Sequence, residues 1–379
     1  MTGKERVLTT LSGQEPDRVP IGEFAIDFDT VEKIIGHETY VRAKAKSQIA
    51  FWQGRHDEVA ESYLNDQLEL YRKIDIDIIT FPMATWEIPP ETDEPAPRRI
   101  DAATWEDRHG RVYKYSEMTA DITCIHDPVA EQRVFTVEEF DCPPPLLRPD
   151  PRSWKILDAL IQAFKKEKFI CGPSGGEIGI LFLGGIERGC LELLQNPDVV
   201  RQATAFYLAQ QNEADPYFIH PDSDAVLWGA DFGFKTGPLI SPRMFDDFFL
   251  SANRDRVRKI HDRFDKKVMK HCCGNITALL DAFLQIGYDA YQSIQASADM
   301  DICRLKQSIG DRITLWGGVS LENLVSGTPE QVRQDVRRSM QCAKNGGKFI
   351  LGASHSIAVG TKYDNYMAML DEYHRLSAY

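Results

Sequence analysis

Several things are missing from this 379-residue sequence, and each absence narrows its function. There is no lysine- and arginine-rich stripe: 44 Lys and Arg stand against 57 Asp and Glu, a formal charge of −13. That balance argues against nucleic acid or an anionic membrane as a partner. The densest basic stretch, residues 254–270, is interleaved with Asp255, Asp262 and Asp265 and reads as a solvated helix face. No apolar run approaches membrane-spanning length, and the longest, residues 178–186, is broken by glycines. The opening Met1-Thr-Gly-Lys-Glu-Arg is polar, so no signal peptide is expected. Eight cysteines are too few for a disulfide framework in a chain this long, and Cys272 and Cys273 are adjacent. Free thiols in a reducing compartment, and a cytoplasmic protein, are the expectation. Repeats and low-complexity segments are absent, and no Gly-Lys-Ser/Thr follows the glycine-rich residues 172–179, which argues against a phosphate loop.

What is present is an ordinary globular composition, 43% hydrophobic and 27% charged, able to bury a large core. Short β-branched runs recur at residues 19–25, 75–81, 168–171, 224–229, 267–271, 289–295, 312–316 and 348–351. Most are followed by a punctuated helix. Ser153 precedes Trp154, Leu157, Leu160, Ile161 and Phe164, one helical face. Asn196-Pro197, Ser241-Pro242 and Thr328-Pro329-Glu330-Gln331 each put a capping side chain before a first-turn proline. Asn275 caps a helix running to Gly287. Eight strands alternating with helices specify an α/β fold with a parallel sheet, and the number favours a (β/α)8 TIM barrel over an open sheet. One domain over 1–379 is expected.

The regularity fails over residues 84–150, which read as a β-rich excursion inserted after the second strand. Within it, Asp107-Arg108-His109-Gly110 looks like a hairpin turn. A connection this long inside a compact domain is usually a lid or a docking surface.

Active residues of such barrels come from the C-terminal ends of strands. Those ends hold Glu23, Asp27, Phe81, Met83, Cys171, Glu177, Trp228, Asp231, His271, Cys273, Gln295, Trp316, Ser354 and His355. Strand alternation turns His271 and Cys273 the same way and Cys272 the other. Imidazole and thiolate form a natural zinc pair, and a helix starting at Asn275 would lower the Cys273 pKa. The pattern equally describes a buried thiol beside a hydrogen-bonded histidine. His355 is the best-placed third ligand, or else a neutral acid–base group. Asp231 and Glu177 are candidate catalytic carboxylates, each with a plainer role as a loop cap or a solvated group. Phe81, Trp228 and Trp316 either wall a substrate pocket or fill the core, and Glu23 and Gln295 complete the expected substrate-binding set.

The segment Asp224-Ala-Val-Leu-Trp-Gly-Ala-Asp-Phe-Gly-Phe-Lys-Thr-Gly-Pro-Leu-Ile-Ser-Pro-Arg-Met-Phe245 resembles the central signature of the uroporphyrinogen decarboxylase superfamily. Lys4-Glu-Arg-Val-Leu with Pro16-Asp-Arg-Val-Pro20, Arg312-Ile-Thr-Leu-Trp-Gly-Gly-Val and Phe349-Ile-Leu-Gly-Ala-Ser-His-Ser-Ile357 are similar to it as well. The resemblance implies a (β/α)8 barrel. True uroporphyrinogen decarboxylases carry Arg-Gln-Ala-Gly-Arg after the first strand and Asp after the second. Here those places read Gly22-Glu-Phe-Ala-Ile-Asp-Phe-Asp and Phe81-Pro-Met83. An acidic mouth would repel a polycarboxylate, which argues against uroporphyrinogen as substrate.

His271-Cys-Cys-Gly-Asn275 is similar instead to the His-x-Cys-Gly-Asn motif of the superfamily's corrinoid-dependent methyltransferases, which bind zinc through it and a later Cys. His355 stands in that later place. The resemblance implies a zinc-dependent methyltransferase with His271, Cys273 and His355 as ligands. It would move a methyl group between a small substrate, a methoxy compound or a thiol, and a corrinoid. The chain has no Asp-x-His-x-x-Gly cobalt-ligand motif, so cobalamin is expected on a separate corrinoid protein, and the superfamily includes homodimers. Two alternatives stand beside this: a metal-free decarboxylase or lyase acting on a small acid, and a non-catalytic tetrapyrrole- or corrinoid-binding protein.

Overall fold

The computed structural model describes residues 1–81, 87–181 and 183–379. The apolar runs become a curled, parallel, seven-stranded half-barrel. Its strands are β1 (Ile78–Thr80), β6 (Phe169–Gly172), β7 (Ala225–Trp228), β10 (Lys267–His271), β11 (Ala290–Gln292), β12 (Thr314–Val319) and β13 (Phe349–Ala353), side by side in that order. Strands buried on both faces need helices outside, and the intervening chain supplies them. Ser241 Oγ accepts from the Met244 N–H, and Thr328 with Gln331 forms a full capping box, as their sequence signals predict. Ser153 does not cap. Asp150 caps the helix Pro151–Phe164, and Ser153 Oγ, inside that helix, accepts from the Ile88 N–H at 2.7 Å.

The strand expected at residues 19–25 is an extended segment with an isolated bridge from Ile21 to Leu351. Pro20 has no N–H to give to a ladder. The segment nevertheless bonds to both edges of the sheet: the Gly22 N–H donates to Leu351 O (3.0 Å), and the Asp77 N–H donates to Ile21 O (2.8 Å). A Cβ on Gly22 would come within 2.7 Å of Ile78 Cβ, so only glycine permits this approach. Trp316, fully buried, donates its indole N–H to Gly22 O from inside the curl.

After β1 comes an antiparallel sheet of β2 (Arg98–Arg99), β3 (Thr104–Glu106), β4 (Val112–Ser116) and β5 (Asp121–His126). The expected turn joins β3 to β4, where Asp107 Oδ1 accepts from the N–H groups of His109 and Arg111. Trp105 and Tyr113 of this sheet pack on Trp52, at 5.8 and 5.5 Å between ring centres. A short hairpin, β8 (Gly233–Phe234) with β9 (Gly237–Pro238), follows β7.

Two further sequence expectations fail here. The basic stretch is not wholly solvated: Arg256 and Lys270 are fully buried, Arg256 against Asp215 and Lys270 against Glu177. Cys303 and Cys342 form a disulfide between the adjacent helices Ile302–Ile309 and Pro329–Ala343, leaving the other six cysteines as free thiols. Among the described residues no helix is long and apolar enough to cross a membrane.

Candidate metal centre

His271 is the last residue of β10, and the chain beyond it is pinned so that Cys273 faces the same way. The Cys273 N–H donates to Asp231 Oδ1 (2.7 Å) and the Gly274 N–H to Gln295 Oε1 (2.6 Å). Gly274 sits at φ +75°, where an added Cβ would lie 2.7 Å from backbone atoms of Gly233 and Phe234. Cys272 points into the core, its sulfur accepting from the Phe232 N–H. Burial pushes the Cys272 thiol up to about 11. His271 Nε2 and Cys273 Sγ are 3.1 Å apart.

His355 follows β13, three strands along the sheet from β10, yet its ring centre is 5.5 Å from that of His271. The last residue of β11 and the one after it tie the two strand ends across the curl: Gln292 Nε2 donates to Ala353 O and Ser293 Oγ to Ser354 O. The ligating atoms of His271, Cys273 and His355 all lie within 4.8 Å of one another.

The donor set fits a zinc-like cation. Gln292 Oε1 faces His271 Nδ1; with its amide already committed to Ala353, the oxygen must accept and the imidazole must carry its proton on Nδ1. The Nε2 lone pair beside Cys273 is left free for an ion. Burial lowers the His271 pKa to about 3, with His355 acting the same way and Asp231 opposing it; His355 is lowered by burial too. Both rings are therefore neutral, the form that ligates. The Nδ1 of His355 is buried and has no hydrogen-bond partner among the described residues. The Cys273 thiol departs from expectation. Burial, then Asp231, pushes its pKa up, and the first helical turn, Thr277–Leu279, begins four residues further on. Asn275 Oδ1 accepts from the Thr277 N–H, but the cap position of that turn is Ile276, so the expected Asn275 cap is displaced by one residue. A divalent cation would reverse this, since a coordinating thiol is deprotonated outright.

The centre opens into a cavity of about 410 Å³. Asp231, His271, Cys273 and His355 line it, and its aromatic wall is Phe24, Phe51 and Tyr63. Phe24 stacks on His271 at 3.8 Å. The three aromatics expected from sequence lie elsewhere. Phe81, Trp228 and Trp316 are fully buried in the core, with the Trp228 indole spent on Ser174 Oγ. Three expected polar residues stand behind the cavity. Gln295 holds Gly274, Glu177 pairs with Lys270, and Glu23 accepts from the Ala353 N–H. Met83 and Trp86 lie outside the described residues.

The acidic residues after the first strand do not form the mouth. Glu23 is buried and its pKa is pushed up to about 8, so it is neutral at pH 7. Asp27 is held by the Arg42 guanidinium through Nε and Nη2, each at 2.8 Å. Arg42 and Lys44 line the cavity with Asp121, Glu87 and Asp231. The charge argument against a polycarboxylate therefore no longer rests on the first-strand acids, which do not line the cavity, while the missing Arg-Gln-Ala-Gly-Arg motif stands.

Sequence reasoning missed Gln292, Phe24 and Arg42. Gln292 lay inside an expected strand whose end was placed three residues late, at Gln295. Gln292→Leu leaves the buried His271 Nδ1–H without a partner. Its expected effect is a loss of about 10–100-fold in metal affinity, read by chelator competition.

A cation-ready triad at the C-terminal ends of a curled parallel sheet defines the class: an α/β half-barrel protein with its site where such folds place theirs. The chain belongs to the uroporphyrinogen decarboxylase (URO-D) family, whose profile matches residues 183–376 and so includes all three triad residues. A uroporphyrinogen decarboxylase of Psychromonas ingrahamii is 26% identical over 143 residues, 37% of this chain and 39% of that protein, so the match spans well under half of the relative. A solved methyltransferase from Methanosarcina mazei superposes with a TM-score of 0.59 over 99% of both chains at 16% identity, a likeness of fold.

Proposed function

We propose that this chain is a zinc-dependent methyltransferase that moves a methyl group between a small substrate and a corrinoid carried on a separate protein. The observation that carries the reading is the convergence of His271, Cys273 and His355 at the floor of the cavity. On this reading residues 20–22 are the eighth stave of a (β/α)8 barrel. When bound, zinc supplies Lewis acidity, which either polarises a methoxy oxygen or holds a thiol as thiolate. The rest falls to the chain's own side chains. Gln292 fixes the His271 tautomer, Phe24 and Phe51 offer flat apolar surface to a substrate, and Asp231 sets the Cys273 backbone. The aromatic wall favours a methoxy compound, and hence O-demethylation, over a thiol. Asp121 and Glu87 bring the inserted region to the cavity rim, and Met118, Ile125, Val129 and Val134 are exposed on it. That is the face we assign to the corrinoid protein.

The test is a spectral assay with cob(I)alamin and a panel of methoxylated aromatics. Methylcobalamin formation by the zinc-loaded protein, abolished in Cys273→Ala, is expected. Equal turnover by metal-stripped protein, or carbon dioxide release from a small acid without metal, would overturn the proposal in favour of a metal-free lyase.

A further inference from the structure

Behind the triad lies an ion pair that the chemistry does not touch. Lys270 precedes His271 on β10 and faces the opposite way. Its side chain is fully buried and that of Glu177 is 4% exposed. Lys270 Nζ lies 2.7 Å from Glu177 Oε1 and 2.9 Å from Oε2. Taking two charges out of water offsets most of their attraction, so net stability is a poor account of such a pair.

Its remaining hydrogen bonds are more informative. Lys270 Nζ also donates to Ala230 O (2.6 Å), and Glu177 Oε2 accepts from the Ala230 N–H (2.9 Å). The pair thus holds both backbone groups of one residue in the loop after β7. Tyr288 steadies the carboxylate by donating its hydroxyl to Oε1 (3.1 Å). The next residue, Asp231, lines the cavity and accepts from the Cys273 N–H. Residues 230 and 231 are therefore gripped from two points of the β10 strand and its extension, one on each side of His271.

We propose that the Lys270–Glu177 pair is a positioning device for the metal centre: by clamping Ala230 it fixes where the Asp231 carboxylate stands against Cys273 and His271. Glu177 is then a positioning residue, not an acid or base. A leucine–methionine pair would fill the same space without desolvating a charge, but it could not hold Ala230. The inference rests on the reading of His271, Cys273 and His355 as ligands.

Cobalt(II), titrated into metal-stripped protein, is the probe, since its absorption reports ligand geometry and its thiolate band reports the Cys273 bond. Thermal melts are recorded in parallel. Glu177→Leu/Lys270→Met removes the clamp without stranding a charge. It is expected to melt cooperatively but to bind cobalt about 10–100-fold more weakly, with an altered thiolate band. Tyr288→Phe, a milder change that keeps the ring, is expected to weaken binding about threefold, as the loss of one hydrogen bond would. A lower melting temperature with unchanged affinity and spectrum overturns the inference. If the double variant does not fold, Tyr288→Phe decides alone. Failure of the wild type to bind cobalt would instead remove the metal reading itself, an outcome distinct from equal binding by wild type and variants.

Discussion

Asp215→Ala is expected to be among the most destabilising single changes in the protein, at about 3–5 kcal/mol. Arg256 is fully buried and the Asp215 side chain is 2% exposed. The guanidinium donates through both terminal nitrogens to the carboxylate, and also to Asn212 Oδ1 (2.9 Å) and Gly176 O (2.7 Å). Asp215 Oδ1 accepts from the Gly175 N–H as well. Removing the carboxylate strands a cation and an N–H in the interior, and the cost is the desolvation of both. Asp215→Leu/Arg256→Met, which removes both charges together, should cost clearly less than the single change. Urea denaturation checks this: the midpoint falls sharply for Asp215→Ala and recovers in the double variant, with the slope unchanged. A single variant within about 0.5 kcal/mol of wild type would mean that the pair is solvated in solution.

Loss of metal from His271→Ala and Cys273→Ala is the second large effect. Structural zinc sites bind with about 10–16 kcal/mol, or about 2.5–4 kcal/mol per ligand over four ligands; each truncation should therefore weaken binding by about 10²–10³-fold. His271 ends β10 and Cys273 lies just beyond it, and neither side chain takes part in the sheet pairing, so the fold should survive. Cys272→Ala is the control. It removes the sulfur that accepts from the Phe232 N–H and should cost about 1–3 kcal/mol of stability while leaving the metal in place. His355→Cys restores the thiolate that the resemblance places there and should retain the ion. Stoichiometric metal in either alanine variant of His271 or Cys273 would defeat the assignment.

Period-2 and period-3.6 patterns made much of this legible in the sequence. Seven β-branched runs became seven parallel strands, and alternation along 271–273 separated the cavity-facing thiol from the core thiol. What stayed hidden depends on segments that meet only in the folded chain. The run at 19–25 looks like a strand, yet Pro20 and the contact of Gly22 with Ile78 make it an extended segment with an isolated bridge. Trp228 ends β7 and Trp316 lies inside β12, and both turn into the core, where each indole N–H has an acceptor, whereas Phe24 and Phe51 reach the cavity from irregular or helical segments. Arg256 and Lys270 looked solvated because their acidic partners, Asp215 and Glu177, are 41 and 93 residues away in the chain. The Cys303–Cys342 disulfide, 39 residues apart, likewise depends on two helices that only the folded chain places side by side.

The central claim is that His271, Cys273 and His355 hold one zinc ion, and its most direct test is elemental analysis of the protein purified without an affinity tag. The account predicts about one zinc per chain, retained through dialysis. No metal, even after zinc is added and the excess removed, would contradict it.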